Sequence, residues 1–193
     1  MAVTIEELLA REDISQCLLR HFRAADRLDL AAEAEAFWPD GRFVGGPVEG
    51  PASSFMGSLF DTLRSSFESV MHYIANMAIT VTGDCGRAEL YGIGWHLLAD
   101  DAAVVAGVIG EQKFAEFGRN ASKRYELWVG VRYAVEMQRR GQEWRILTMQ
   151  PIIEWTRVQH YNGIAAGGLP AAMPTVPRRD RSDASYFAQE WNP

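Results

Sequence analysis

Asp26 and His72 are the residues of this chain best suited to move a proton. Asp26 stands one turn after Phe22, at the end of an apolar stripe with helical spacing. His72 stands just before Tyr73, where a helical pattern gives way to a β-rich one. A histidine with one ring nitrogen held by a carboxylate is oriented and made more basic, so its other nitrogen can take a proton from carbon or oxygen near neutral pH. Each residue also has an ordinary use: Asp26 can end a helix in water or tie down the Asp26-Arg27-Leu28-Asp29 turn, and His72 can cap a helix or sit satisfied in the core.

Other groups could serve such a pair. His96 shares a strand face with Gly92 and Gly94, small residues that would leave room over a sheet for a ligand; its ordinary reading is a satisfied sheet histidine. Arg132 shares a face with Trp128, Gly130 and Ala134 and could meet a phenolate or a developing oxyanion, although an ion pair with a glutamate is its commoner use. Tyr73 adjoins His72 and is read as pocket lining. Trp155, His160 and Tyr161 lead into the tail, either lining a pocket or anchoring that tail by hydrophobic contact.

Several chemistries have no carrier in the sequence. There is no GxxxxGK[ST] or GxGxxG phosphate loop, no G-x-S-x-G elbow and no HExxH, and Gly92-Ile93-Gly94 lies inside a strand pattern rather than at a strand-to-helix turn. His21, His72, His96 and His160 are too scattered for a recognisable metal signature. Cys17 and Cys85 are the only cysteines and cannot form a disulfide framework or a structural zinc site, so free thiols are expected and neither receives a role. The expectation is chemistry with no metal and no cofactor.

The elements that would position the pair follow from periodicity and punctuation. Thr4 with Glu7 opens a first helix as a capping box, and Ile14, Leu18, Phe22 and Ala25 carry it to about Asp26. Asp29 caps a second helix that stops before Pro39. Asp40-Gly41 reads as a turn, Arg42-Phe43-Val44 as a short strand and residues 45–51 as a loop. Ser53 or Ser54 caps a third helix, with Phe55, Leu59, Leu63 and Phe67 on one face. Residues 74–82 and 87–98 form a hairpin about Gly83-Asp84-Cys85-Gly86, and residues 125–139 and 143–155 form two more strands about Gly141-Gln142. Residues 100–123 are read as helix. The layout is α+β: three helices packed on one face of a curved, mostly antiparallel sheet, a cone with a pocket between the layers. Residues 1–162 form the domain, and residues 163–193 a Gly-, Ala- and Pro-rich tail that could lie over the pocket as a lid.

At 193 residues, with 48% hydrophobic and 23% charged residues, the chain suits one globular domain. A net charge of −6 gives no cationic field for nucleic acid, and no apolar run is long enough to span a membrane. The N-terminal residues lack the basic and apolar regions of a secretory signal, so a cytoplasmic location is expected. Six Trp, nine Phe and six Tyr are generous for one domain and could line a site for an aromatic or bulky apolar ligand.

These segments resemble the SnoaL-like family of the nuclear-transport-factor-2-like, cystatin-related cone fold. The likeness is carried by His21 through Asp26 and Asp29 to Trp38-Pro39-Asp40-Gly41, by Met71-His72-Tyr73-Ile74-Ala75-Asn76, by Gly83-Asp84 with Arg87-Ala88-Glu89, and by Val131-Arg132-Tyr133 through Arg140-Gly141-Gln142-Glu143-Trp144-Arg145-Ile146. It covers about residues 4–155, apart from the stretch 100–123, which is longer than usual. In that superfamily, scytalone dehydratase and hexachlorocyclohexane dehydrochlorinase use an Asp–His pair at the positions of Asp26 and His72. The resemblance thus implies His72 as general base and Asp26 as its orienting partner. It places His21 where the dehydrochlorinase has a pocket lysine, Phe43 where it has a tryptophan, and His96 within about one residue of a second dehydratase histidine. Met149 stands where the dehydrochlorinase has a final-strand arginine, and the dehydratase's paired tyrosines have no clear counterpart. The resemblance implies a cofactor-independent lyase of dehydratase type acting on a small apolar, aromatic or cyclic molecule, as a homotrimer or homodimer. Related alternatives are a formaldehyde-releasing retro-aldol lyase on lignin-derived diaryl compounds, an isomerase or cyclase, and a non-catalytic small subunit of an aromatic-ring dioxygenase or ligand-binding module.

Overall fold

The structure, a computed structural model, describes residues 3–45, 49–164, 167–173 and 176–189. Helix α1 (Ile5–Arg27) starts where the Thr4 side chain accepts the Glu7 N–H at 3.1 Å, one half of the expected capping box; the Glu7 carboxylate turns instead to Arg11. Its buried face is Ala10, Ile14, Cys17, Leu18, His21, Phe22 and Ala25, a helical stripe. The helix ends at Leu28 in the left-handed region (φ 53°), and Asp29 then caps α2 (Leu30–Ala36) by accepting the Ala32 N–H. This tight corner fixes Asp26 in the last turn of α1.

Strands β1 (Phe37–Phe43) and β2 (Gly50–Pro51) precede α3 (Ala52–Ser66); then follow β3 (Phe67–Thr82), β4 (Cys85–Leu98), β5 (Tyr125–Arg140) and β6 (Glu143–His160). The sheet order is β2-β1-β6-β5-β4-β3, with β3 to β6 an antiparallel meander and β1 parallel to β6. Buried Gly86, Ala88, Leu90, Gly92 and Gly94 alternate along β4 with exposed Arg87, Glu89, Tyr91 and Ile93, so one face turns to the helices and the other outward. Ile14, Leu18 and Phe22 of α1 pack into a core with Leu90, Val131, Tyr133, Val135, Met137 and Ile146. Gly86 allows this contact: a Cβ there would come within 2.7 Å of Ile14 Cδ1. The α+β cone expected from the sequence is the fold observed, a curved and unclosed six-stranded sheet.

Four local expectations are corrected. Asp40-Gly41 lies inside β1 rather than in a turn; Gly41 passes so close to the backbone of Trp38 that a Cβ would lie 2.8 Å from its carbonyl oxygen. Helix α3 begins at Ala52 behind Pro51 with no side-chain cap from Ser53 or Ser54. It runs straight into β3 at Phe67, so His72 lies within a strand rather than at its mouth. The last strand continues past Trp155 to His160, paired with β5 throughout. Residues 100–123 hold α4 (Ala102–Ile109), capped by Asp101, and α5 (Glu111–Glu116); Val105, Ala106 and Phe114 form a second cluster with Leu98 and Tyr125 at one end of the sheet. In the tail, α6 (Gly168–Ala172) and a 3-10 turn (Ala184–Gln189) are the regular elements. Among the described residues no helix is long and apolar enough to cross a membrane.

Candidate active site

Asp26 and His72, 46 residues apart, meet on the helix-facing side of the sheet. His72 Nδ1 lies 2.7 Å from Asp26 Oδ1, and the His72 backbone N–H donates to Asp26 Oδ2 at 3.2 Å. Both carboxylate oxygens are therefore committed to one residue, which fixes the imidazole in position and in orientation. Each side chain is 13% exposed. With Nδ1 donating to Asp26, Nε2 carries the free lone pair, the tautomer a general base needs. The ring lies over Gly94, where a Cβ would sit 3.6 Å from His72 Nε2 and 2.7 Å from His96 Cε1. The space above Gly94 thus holds the two histidine rings, and that above Gly92 holds Ile74 and Tyr133; neither is left open for a ligand as the small residues suggested.

His96 and His72 approach edge to face, their ring centroids 5.8 Å apart, and the Phe67 ring lies 4.8 Å from His96 on its other side. Burial, reinforced by the neighbouring His72, pushes the His96 pKa down to about 4. His96 is therefore a neutral hydrogen-bonding group at neutral pH and not a cationic acid. An unfolded histidine titrates near 6.5. Between that value and about 4 the unfolded chain binds a proton that the folded His96 refuses, so stability falls as the pH drops through this window. Replacing His96 with Phe should flatten the pH dependence of the urea midpoint across the window and leave it unchanged above.

Phe22 and Tyr133 complete the inner wall. The Phe22 ring is 5.6 Å from His72 and 5.0 Å from Tyr133, and burial, with Asp26 nearby, raises the Tyr133 pKa far enough to keep its hydroxyl protonated. Tyr133 is among the residues that carry the family resemblance, but alternation along its strand does not mark it as a neighbour of a carboxylate.

The remaining candidates divide by face and depth. His21 is 4% exposed, its Nδ1 2.8 and 2.9 Å from the two oxygens of fully buried Glu33. The pair spans α1 and α2, and no sequence spacing announces it. Phe43 stacks on Phe55 (centroids 3.7 Å, interplanar angle 10°) in the main core. Three residues are corrected outright as lining of the dyad's pocket. Tyr73 is half exposed on the sheet face opposite His72, because neighbours along a strand point to opposite sides. Arg132 and Trp155 are on that outer face too, bordering a depression of about 600 Å³ with Tyr91 and Ile93. There Arg132 pairs with Glu154 at 2.9 Å and Glu89 at 3.3 Å, its commoner use. His160 packs between Phe117 and Tyr125 in the second cluster. Cys17 is buried, and burial raises its thiol pKa to about 11, which leaves it unreactive.

Among solved structures, hexachlorocyclohexane dehydrochlorinase LinA-type3 from Novosphingobium barchaimii is similar with a TM-score of 0.62 at 14% identity, over 83% of this chain and 96% of that one. A scytalone dehydratase candidate from Novosphingobium aromaticivorans has a TM-score of 0.61 at 12% identity, over 83% and 97%. A nuclear-transport-factor-2-like superfamily protein from Salmonella enterica has 0.58 at 15%, over 81% and 96%. At these identities the likeness shows the fold. No curated protein matches the chain. The family model of the SnoaL-like domain matches residues 6–150, which include Asp26 and His72, and the chain belongs to that family.

Proposed function

We propose that this protein is a cofactor-independent lyase that removes a proton with His72 and expels a leaving group from a small aromatic or cyclic molecule. The observation that carries the reading is the two-point contact between Asp26 and His72, with Nδ1 held at 2.7 Å and Nε2 left as base. In the dehydrating form, a C–H proton passes to Nε2, its electron pair forms a carbon–carbon double bond as the neighbouring C–O bond breaks, and the departing hydroxyl takes the proton back from the His72 imidazolium and leaves as water. Asp26 offsets the charge of the imidazolium while it exists. His96 can offer a neutral hydrogen bond to the departing oxygen; Arg132 has no part, since it points from the other face. The test is turnover of cyclic and aromatic alcohols that carry an acidic C–H beside the hydroxyl, followed by the absorbance of the new conjugated double bond, in the wild type and the His72→Gln variant. A dyad this close, on the covered side of the sheet, supports catalysis over a purely structural role.

The same reading includes a homo-oligomer. Tyr73, Tyr91, Ile93 and Trp155 are 38–50% exposed on the outer sheet face. A second copy covering this face would bury them, with Arg132 and the glutamates beside it at the rim. Ile93→Arg should convert the assembly to a monomer in light scattering; an unchanged mass would place the contact elsewhere.

A further inference from the structure

Residues 176–189 fold back over the C-terminal ends of α1 and α3. Asp183 accepts the Arg178 N–H at 2.8 Å and pairs with Arg27 at 3.3 Å. Asp29 accepts the Tyr186 hydroxyl at 2.8 Å and pairs with Arg181 at 3.2 Å. The Arg23 guanidinium lies 4.3 Å from the centre of the Tyr186 ring. These contacts hold Arg179 in place. Its Nη1 donates to the Leu63 carbonyl at 2.9 Å and the Phe67 carbonyl at 2.7 Å, where α3 gives way to β3. Carbonyls at a helix C-terminus lack partners within the helix, so this cation is well placed to take them.

The other edge of the guanidinium is unused. Nε and Nη2 of Arg179 are buried and find no acceptor among the described residues. These two N–H groups point the same way and form the side-on fork that matches the two oxygens of a carboxylate. Asp26 lies near enough for its charge to favour the Arg179 cation, but it makes no hydrogen bond to the fork. Yet the fork lies at the dyad's end of the cone: Phe67, whose carbonyl holds Arg179, rests its ring against His96, which in turn meets His72. A buried donor pair without an acceptor is costly, and the acceptor it lacks is anionic and planar.

We propose that the Nε/Nη2 edge of Arg179 is a carboxylate-recognition element, so that the substrate is a carboxylic acid held by the tail while His72 acts on its carbon skeleton. The second half rests on the lyase reading; the binding half does not. Arg179 thus supplies, from outside the part of the chain that matches the family, a cation that Arg132 cannot supply from the outer face.

The test is calorimetric titration of the full chain with benzoate and with its neutral analogue benzamide. The wild type should prefer benzoate by about 10–100-fold, the range of a charge-assisted bidentate contact. Arg179→Met should abolish that preference, and Arg179→Lys, which keeps the charge but not the fork, should retain a small part of it. Arg119→Met, which removes an exposed cation far from the tail in sequence and leaves the fork and its supports in place, should keep it. His72→Gln should keep it as well, so that failure of the lyase reading and failure of this proposal are read separately. No saturable benzoate binding, equal affinity for the two compounds, an unchanged preference in Arg179→Met, or equal loss in Arg119→Met would each overturn it.

Discussion

The His72→Gln variant is expected to lose turnover by about 10²–10⁴-fold while its thermal midpoint stays near that of the wild type. The size of the effect follows from what is removed. Nε2 of His72 is the one basic atom of the dyad free to receive a proton, because Nδ1 is tied to Asp26 at 2.7 Å. Glutamine retains the His72 backbone N–H and its bond to Asp26 Oδ2 at 3.2 Å, so the strand and the corner of α1 keep their connection. His96 cannot substitute as a base that becomes a cation, since burial holds its pKa near 4. Asp26→Asn should cost less than His72→Gln, because an amide oxygen can still orient the ring but no longer offsets the imidazolium charge. Steady-state kinetics alongside melting curves would decide it. A His72→Gln enzyme with wild-type kcat/KM removes the proton-abstraction mechanism altogether.

Glu33→Ala is expected to destabilise the fold by about 1–3 kcal/mol, the cost of leaving a buried hydrogen-bonding group without its partner. Glu33 is fully buried and both of its oxygens face His21 Nδ1, so its loss leaves a polar ring without an acceptor between the Phe22 and Phe37 rings. It also opens a void beneath α2. The double variant His21→Leu with Glu33→Met should recover most of the loss, because apolar side chains of similar volume can replace a buried pair at little or no cost. Urea unfolding of His21→Leu, Glu33→Met and the double variant, beside the wild type, forms a closed cycle. If the single substitutions add in the double variant, the pair makes no coupled contribution and this account of its role is wrong. The expected coupling assigns His21 a structural duty in this chain.

Much of the architecture was legible before the structure. Helix α1 was marked by Thr4 and its apolar stripe, α2 by Asp29, and the meander by alternation between turns at Gly83 and Gly141. Periodicity reports which side of an element is wet, and these elements have one wet side. The errors fell where periodicity is silent. The passage from α3 to β3 has no loop and no breaker, so the strand appeared to start seven residues late, at Ile74 rather than Phe67. Parity of spacing along a strand determines its two faces, but not which face meets the helices. For this reason nothing in the sequence tells that Arg132 and Trp155, read as pocket residues, lie on the outer face, whereas Tyr73 is separated from its neighbour His72 by parity alone.

By itself the sequence determined the class of fold, the family and the two residues whose types suit proton transfer. Those properties are written in local pattern and in motif order. Whether Asp26 and His72 meet was decided by tertiary structure alone, because their contact depends on how α1 crosses β3 and on the left-handed corner at Leu28. The same is true of Glu33 beneath His21, of Tyr133 near Asp26, and of Arg179 reaching back from the tail to the end of α3. Each joins groups on different elements, and the free energy that pairs them comes from burial and exclusion of water, which no run of neighbouring residues records.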